Sequence, residues 1–87
     1  MSDNIGFSPS AWDDYMYWTT QDKKTLKRIN QLLADIMRNG FSGTGKPEPL
    51  KYKDGCWSRR IDDKNRLVYY KKGDTYFILS CRGHYED

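Results

Sequence analysis

The sequence predicts an α+β fold: an N-terminal strand and a two-helix hairpin packed on a mainly antiparallel, twisted β-sheet. Three observations point there. Apolar residues recur at helical spacing between positions 12 and 37, a stretch rich in glycine and proline follows over residues 41–55, and from Cys56 onward the apolar period becomes two. A switch from helical spacing to alternation marks helices followed by strands, and such an order places the helices on one face of an antiparallel sheet. With 87 residues, the chain is expected to form one domain over 1–87 and to bury only about 60–65% of the surface its unfolded state exposes. Three Trp, seven Tyr and three Phe supply the large apolar area per residue that a short chain needs.

Each element has a local reason. Asn4–Phe7 reads as a short strand. Ser8 before Pro9 offers a helix N-cap with proline at the first helical position, and Ser10 paired with Asp13 is the alternative cap. Trp12, Tyr15, Met16 and Thr19 form the predicted stripe of a helix reaching about Thr20. Asp22 can cap a second helix whose stripe is Leu26, Ile29, Leu33, Ile36 and Met37, and Asn39-Gly40 stops it. Lys23, Lys24, Lys27 and Arg28 then fall on its solvated outer face. Residues 41–55 form an ordered loop, because their glycines and prolines exclude a long helix or a central strand. Cys56–Ile61, Arg66–Lys71 and Tyr76–Arg82 are three strands of a meander, with turns at Asp62–Asn65 and Lys72–Asp74.

Charge is distributed unevenly. Residues 1–45 balance five basic against five acidic side chains, whereas residues 46–84 carry ten basic and five acidic ones. An excess of this kind suits a polyanion, and a solvated charged surface would give the same count. No apolar run approaches the ~20 residues of a membrane span, and the N-terminus has no signal-peptide pattern. Cys56 and Cys81, the only cysteines, lie in apolar runs. They read as buried small hydrophobes, since two ligands cannot close a tetrahedral metal site. A reducing cytoplasm without membrane contact, metal or cofactor is the expected setting.

Three groups of residues could carry chemistry. Pro47 and Pro49 flank Glu48, and a residue before proline is pushed towards extended backbone, here Lys46 and Glu48. A stiffened carboxylate with Lys46 and Lys51 nearby is suited to proton transfer, and it could equally be a surface glutamate in a turn. The turn at Asp62–Asn65 brings Arg66 beside the Ser58-Arg59-Arg60 strand, where alternation allows only one of Arg59 and Arg60 to share its face. Guanidinium groups fit phosphate oxygens, and they also pair across strands with carboxylates such as Asp62 or Asp63. His84, the single histidine, exchanges protons readily near neutral pH, and Tyr85 beside it can donate a hydrogen bond or stack on a base. RNA scission needs a proton taken from a 2′-hydroxyl, charge held on a pentacovalent phosphate, and a proton given to the leaving 5′-oxygen. Glu48, Arg66 and His84 can divide those tasks without a metal.

Five ordered blocks extend this reading over nearly the whole chain: Ala11-Trp12-Asp13-Asp14-Tyr15 with Tyr17-Trp18; Gly43-Thr44-Gly45-Lys46-Pro47-Glu48-Pro49-Leu50-Lys51; Trp57-Ser58-Arg59-Arg60-Ile61; Arg66-Leu67-Val68-Tyr69; and Cys81-Arg82-Gly83-His84-Tyr85. In these blocks the chain resembles the YoeB-type toxins of the RelE superfamily, ribosome-dependent messenger-RNA endonucleases of bacterial type II toxin–antitoxin pairs. The resemblance implies that Glu48 is the general base, His84 the general acid and Arg66 the phosphate stabiliser, with Tyr85 completing the site. It implies supporting RNA contacts from Lys46, Lys51, Arg60 and Arg59. It further implies a microbial RNase-like, RelE-like fold, homodimerisation, and inhibition by a YefM-like antitoxin. DNA would be met only through the antitoxin complex, since no helix-turn-helix pattern is present. Two other readings use the same basic half: a noncatalytic ribosome- or RNA-binding inhibitor, and a protein-interaction or corepressor domain.

Overall fold

Ser8 begins the helical hairpin as its side chain predicts. Its Oγ accepts from the Ala11 N–H (3.0 Å) and donates to the Leu79 carbonyl (3.1 Å), so one hydroxyl caps a helix and ties it to the sheet. A computed structural model describes residues 3–51 and 53–83. The elements run β1 (Asn4–Phe7), α1 (Pro9–Gln21), α2 (Lys23–Asn39), β2 (Glu48–Pro49), β3 (Cys56–Arg60), β4 (Arg66–Lys72) and β5 (Thr75–Ser80). Asp22 alone separates the helices. Its N–H donates to the Trp18 carbonyl (3.2 Å) at the end of α1, while its carboxylate accepts from the N–H groups of Lys24 and Thr25 (3.1 and 3.2 Å) to start α2. The Thr25 hydroxyl also donates to it, and these bonds hold the Asp22 carboxyl below its usual range. Gly40, at φ +68°, ends α2 by donating its N–H to the Ile36 carbonyl (2.8 Å).

The sheet has the order β1-β5-β4-β3-β2. β1 lies parallel to β5, with Ile5 beside Tyr76, and the three other pairs are antiparallel. Together with the two helices this makes the expected α+β fold, with a mixed sheet. The loop predicted over residues 41–55 contains a strand after all: Glu48 and Pro49 pair with Ser58 and Trp57 at the sheet edge, where proline's missing donor does least harm. β3 stops at Arg60, because the Ile61 N–H turns to the Asn65 carbonyl (3.0 Å). β5 stops at Ser80, short of the predicted Arg82, because Cys81 leaves the ladder for α1: its N–H donates to Asp14 Oδ2 (3.0 Å) and its carbonyl accepts from Trp18 Nε1 (2.8 Å).

Those bonds explain one correction. The stripe predicted for α1 is rotated: Ala11 and Trp18 are buried, whereas Trp12 and Met16 are 50% and 45% exposed. Aromatic or sulfur-bearing side chains occupy positions 12, 15, 16, 17 and 18, so apolar spacing selects no single face, and the indole donor that finds a buried carbonyl decides the rotation. In α2, Ile29 and Ile36 are buried as expected; Leu32 joins them, and Leu26, Leu33 and Met37 are only partly buried.

The sheet has two unlike faces. Leu67, Tyr69, Tyr76 and Ile78 pack with Trp18, Ile29, Leu32 and Ile36 under the helices. On the other face a small cluster of Leu50, Cys56 and Val68, flanked by Tyr70 and Leu79, includes no helix side chain among the described residues. Cys56 and Cys81 are both buried with free thiols, and burial pushes the Cys81 thiol up to about 12, so it behaves as a small hydrophobe. No described helix is long and apolar enough to cross a membrane.

The rotation of α1 can be tested by urea unfolding. Trp18→Ala should lower stability by about 3–5 kcal/mol. Trp12→Ala, which removes one half-exposed aromatic contact with Phe7 and Tyr15, should cost about 1 kcal/mol. Equal losses would mean that α1 sits in the phase its apolar spacing suggests.

Candidate active site on the open face of the sheet

Register and alternation assemble this site. Arg60 lies opposite Arg66, Ser58 opposite Val68, and Glu48 opposite Ser58. Side chains two apart on a strand, or directly across it, share a face, so Glu48, Ser58, Arg60 and Arg66 all belong to the face away from the helices. There Arg66 Nη1 donates to Glu48 Oε1 (3.1 Å) and to Ser58 Oγ (3.2 Å). Ser58 is buried, while the side chains of Arg66 and Glu48 are 24% and 58% exposed. An ion pair this open to water contributes only about 0–1 kcal/mol, so an incoming anion can displace the carboxylate at little cost. Among the described residues only Nη1 of the guanidinium is engaged, which leaves donors on Nε and Nη2.

The main chain of Arg66 is engaged too. Its N–H donates to the Gly83 carbonyl (3.0 Å), and the Gly83 N–H donates to Asn65 Oδ1 (2.8 Å). The segment that leads into His84 and Tyr85 is therefore fastened beside Arg66. His84 and Tyr85 themselves lie outside the described residues.

Arg59 departs from its expected role. It points to the helix face and is 0% exposed, so it cannot meet an RNA phosphate. All five of its N–H donors are used inside the protein. Nη1 serves the Asp35 carboxylate and the Thr44 carbonyl (3.0 Å), Nη2 serves the carbonyls of Gly40 (2.9 Å) and Ser42 (2.6 Å), and Nε reaches the Tyr69 hydroxyl (3.2 Å). Tyr69 in turn donates to the Gly40 carbonyl (3.0 Å). The hydrogen bond from Arg59 holds the Asp35 carboxyl below its usual value, and burial raises the Tyr69 hydroxyl.

This clamp shapes the loop that delivers Glu48. The Thr44 N–H donates to Asp35 Oδ2 (3.1 Å), and a side chain at Gly43 would collide with that oxygen. Gly45, at φ +84°, passes so close that an added Cβ would sit 2.9 Å from Leu32, and its carbonyl accepts from the Arg60 N–H (2.7 Å). Lys46 then takes φ +50°, not the extended backbone expected before Pro47. Between the Gly45–Arg60 tie and the Glu48–Ser58 pair the loop advances three residues while β3 advances two, and the left-handed turn at Lys46 takes up the extra residue against the local preference. Glu48 is extended, as Pro49 predicts.

The remaining basic candidates are spread around this centre. Lys46 and Lys51 are exposed, and Arg60, also exposed, directs its guanidinium to Asp63. Reading the sequence residue by residue missed Ser58 as a partner of Arg66 and Asp35 as the partner of Arg59. The signal for Ser58 was available: it lies two residues before Arg60 on one strand and so shares its face. Asp35 on α2 meets Arg59 only through tertiary packing.

Positions 7–85 match the family described as the YoeB-like toxin of bacterial type II toxin–antitoxin systems. Toxin YoeB of Streptomyces coelicolor is 52% identical over 82 residues, which is 93% of this chain and 98% of the relative. Among solved structures, the YoeB dimer from Staphylococcus aureus superposes with a TM-score of 0.88 at 50% identity, covering 94% of this chain and 97% of that one. A heterotetrameric YoeB–YefM toxin–antitoxin complex from Staphylococcus aureus gives 0.86 at 50% identity with the same coverage.

The clamp makes a prediction about acid stability. Because the folded carboxyl of Asp35 titrates below its usual 3.8, its contribution is present above that pH and disappears as pH falls through the folded value. Urea midpoints should therefore decline below about pH 4, and less steeply in Asp35→Asn than in the parent chain. Arg59→Met at pH 7 should cost about 3–5 kcal/mol, the loss expected when one member of a buried pair is removed.

Proposed function

The chain belongs to the YoeB-like toxins of bacterial type II toxin–antitoxin systems, and we propose that it is an endoribonuclease that cuts messenger RNA in the ribosomal A site. The observation that supports this most is the meeting of Glu48 and Arg66, distant in sequence, on an uncovered face of the sheet. In the proposed reaction, the RNA phosphate takes over the Arg66 guanidinium and releases Glu48. Glu48 accepts the proton of the 2′-hydroxyl, whose oxygen attacks phosphorus. Arg66 holds the charge that develops on the phosphate oxygens. His84 gives a proton to the 5′-oxygen as the P–O5′ bond breaks, with Tyr85 completing the site. The products are a 2′,3′-cyclic phosphate and a 5′-hydroxyl: P–O2′ forms as P–O5′ breaks, and the two accompanying proton transfers run between side chains and substrate. Lys46, Lys51 and Arg60 lie on exposed positions suited to the RNA backbone.

The proposal extends to partners. The Staphylococcus aureus relatives occur as a YoeB dimer and as a YoeB–YefM complex, and we propose a homodimer and a YefM-like antitoxin for this chain as well, with DNA met only through that complex. Action on translating ribosomes sets the cytoplasm as its compartment.

Two measurements in a translation extract, with message ends mapped by primer extension, test the reaction. Arg66→Ala should reduce cleavage by ~10²–10³, the usual loss of a preorganised donor to developing negative charge. Lys23→Ala on α2 should leave it unchanged, and equal losses would mean that bulk charge drives activity.

The chemistry of the ends is the second test. The downstream fragment should be labelled by polynucleotide kinase without prior phosphatase, and His84→Ala should slow its formation by roughly 10²–10⁴. A 5′-phosphate present at the moment of cutting would rule the Glu48–His84 mechanism out.

A further inference from the structure

Beside the Glu48–Arg66 centre runs a groove of 380 Å³, within the ~300–1,000 Å³ range of small-molecule sites. Its lining includes Lys53 and Arg82, the hydroxyl residues Ser10 and Ser80, and the apolar Val68 and Leu79. Val68 is buried and Leu79 partly so, while Lys53, Arg82 and Ser10 are exposed, so the apolar pair forms the floor and the cations the rim. Among the described residues no acidic side chain lines it.

Two features join the groove to the site already described. Val68 follows Arg66 by two residues on β4 and shares its face, about 7 Å further along the strand. Gly83, whose carbonyl accepts from the Arg66 N–H, also lines the groove. Arg82 is held in place by the protein: its guanidinium carbon lies 3.5 Å from the centroid of the Tyr17 ring. Tyr17 belongs to α1, so a helix from the covered side of the sheet props a cation on the rim of the open side.

We infer that this groove seats one RNA nucleotide next to the scissile phosphate, with its base against Val68 and Leu79 and its phosphate between Lys53 and Arg82. An apolar floor with two cations on its rim matches the make-up of a nucleotide, a flat apolar base on an anionic backbone. A purely electrostatic patch would not require the floor, and a purely apolar pocket would not require the cations. The inference rests on the nuclease reading for its position beside the scissile bond, and on the groove itself for its ligand class.

Methyl NMR spectra of the intact chain, titrated with adenosine 3′,5′-bisphosphate, test the seat directly. The Val68 and Leu79 methyl signals should shift saturably with the nucleotide and stay in place with inorganic phosphate. If they stay in place with both, the seat is wrong. Salt dependence tests the rim. For a 2′-O-methyl RNA that cannot be cut, the slope of log affinity against log salt should fall by about 0.7 in Lys53→Ala/Arg82→Ala, the contribution of one neutralised phosphate on a single strand. Lys24→Ala/Lys27→Ala should leave the slope unchanged. A parental slope in the Lys53/Arg82 variant overturns the phosphate assignment. Shifted methyl signals without message cleavage would uphold the nucleotide seat and remove the nuclease reading. Cleavage with unshifted methyl signals would do the reverse.

Discussion

The arrangement of the open face depends on one buried guanidinium. Arg59 satisfies the carbonyls of Gly40, Ser42 and Thr44 together with the Asp35 carboxylate and the Tyr69 hydroxyl. Each of those groups sits at the end of α2, in the loop after it, or on the sheet, so a single side chain holds three parts of the chain in register. A lysine could not replace it: one ammonium has three donors and no planar fork to reach five acceptors. Without Arg59, the carbonyls of Ser42 and Thr44 would lose its hydrogen bonds and the Asp35 carboxylate its cation. The loop it secures is the one that ties Gly45 to Arg60 and then delivers Glu48 to the sheet edge.

From this constraint follows a division of labour within two adjacent residues. Arg59 and Arg60 have the same chemistry, and strand alternation gives them opposite fates, one as internal scaffold and the other as exposed charge. The same division runs through the whole sheet. Its covered face is dense with aromatic contacts, Phe41 lying 4.9, 5.7 and 5.9 Å from Trp57, Tyr69 and Tyr76. Its open face has only a small apolar cluster, on which polar side chains stand partly solvated. Rigidity on one side permits a loose, exchangeable ion pair on the other.

Much of the fold was legible because local rules and tertiary packing agree. Ser8, Asp22 and Gly40 end or begin helices where their side chains or backbone freedom predict, and β1 falls on Asn4–Phe7. Legibility failed where several local choices were nearly equal. The aromatic-rich α1 could have presented more than one face to the sheet, and the bonds of Trp18 and Asp14 to the Cys81 main chain separate them. Lys46 violates the preference of a residue before proline because a distant backbone bond sets the path of the loop. For the candidate site, residue type and spacing singled out Glu48 and Arg66 without separating them from surface charges, the resemblance supplied their roles, and the contact between them comes from strand register that neither could give. Arg59 was misread because adjacent arginines look alike in sequence, and the carboxylate that draws one inward lies on another element.

The parallel pairing of β1 with β5 has a consequence for the way the molecule comes into being. Ser8 donates to a carbonyl 71 residues further along the chain, and Trp18 to one 63 residues further on. A nascent chain leaving the ribosome presents β1 and the aromatic face of α1 first, yet both must wait for β5, the strand that lies between β1 and β4. Until β5 emerges, the N-terminal third has no sheet to dock against, and contacts this distant in sequence close slowly. The Gly83 carbonyl that braces Arg66 is made later still. A partly synthesised chain therefore has neither a completed sheet nor a braced Arg66, and the open face takes its final shape only when synthesis is all but complete.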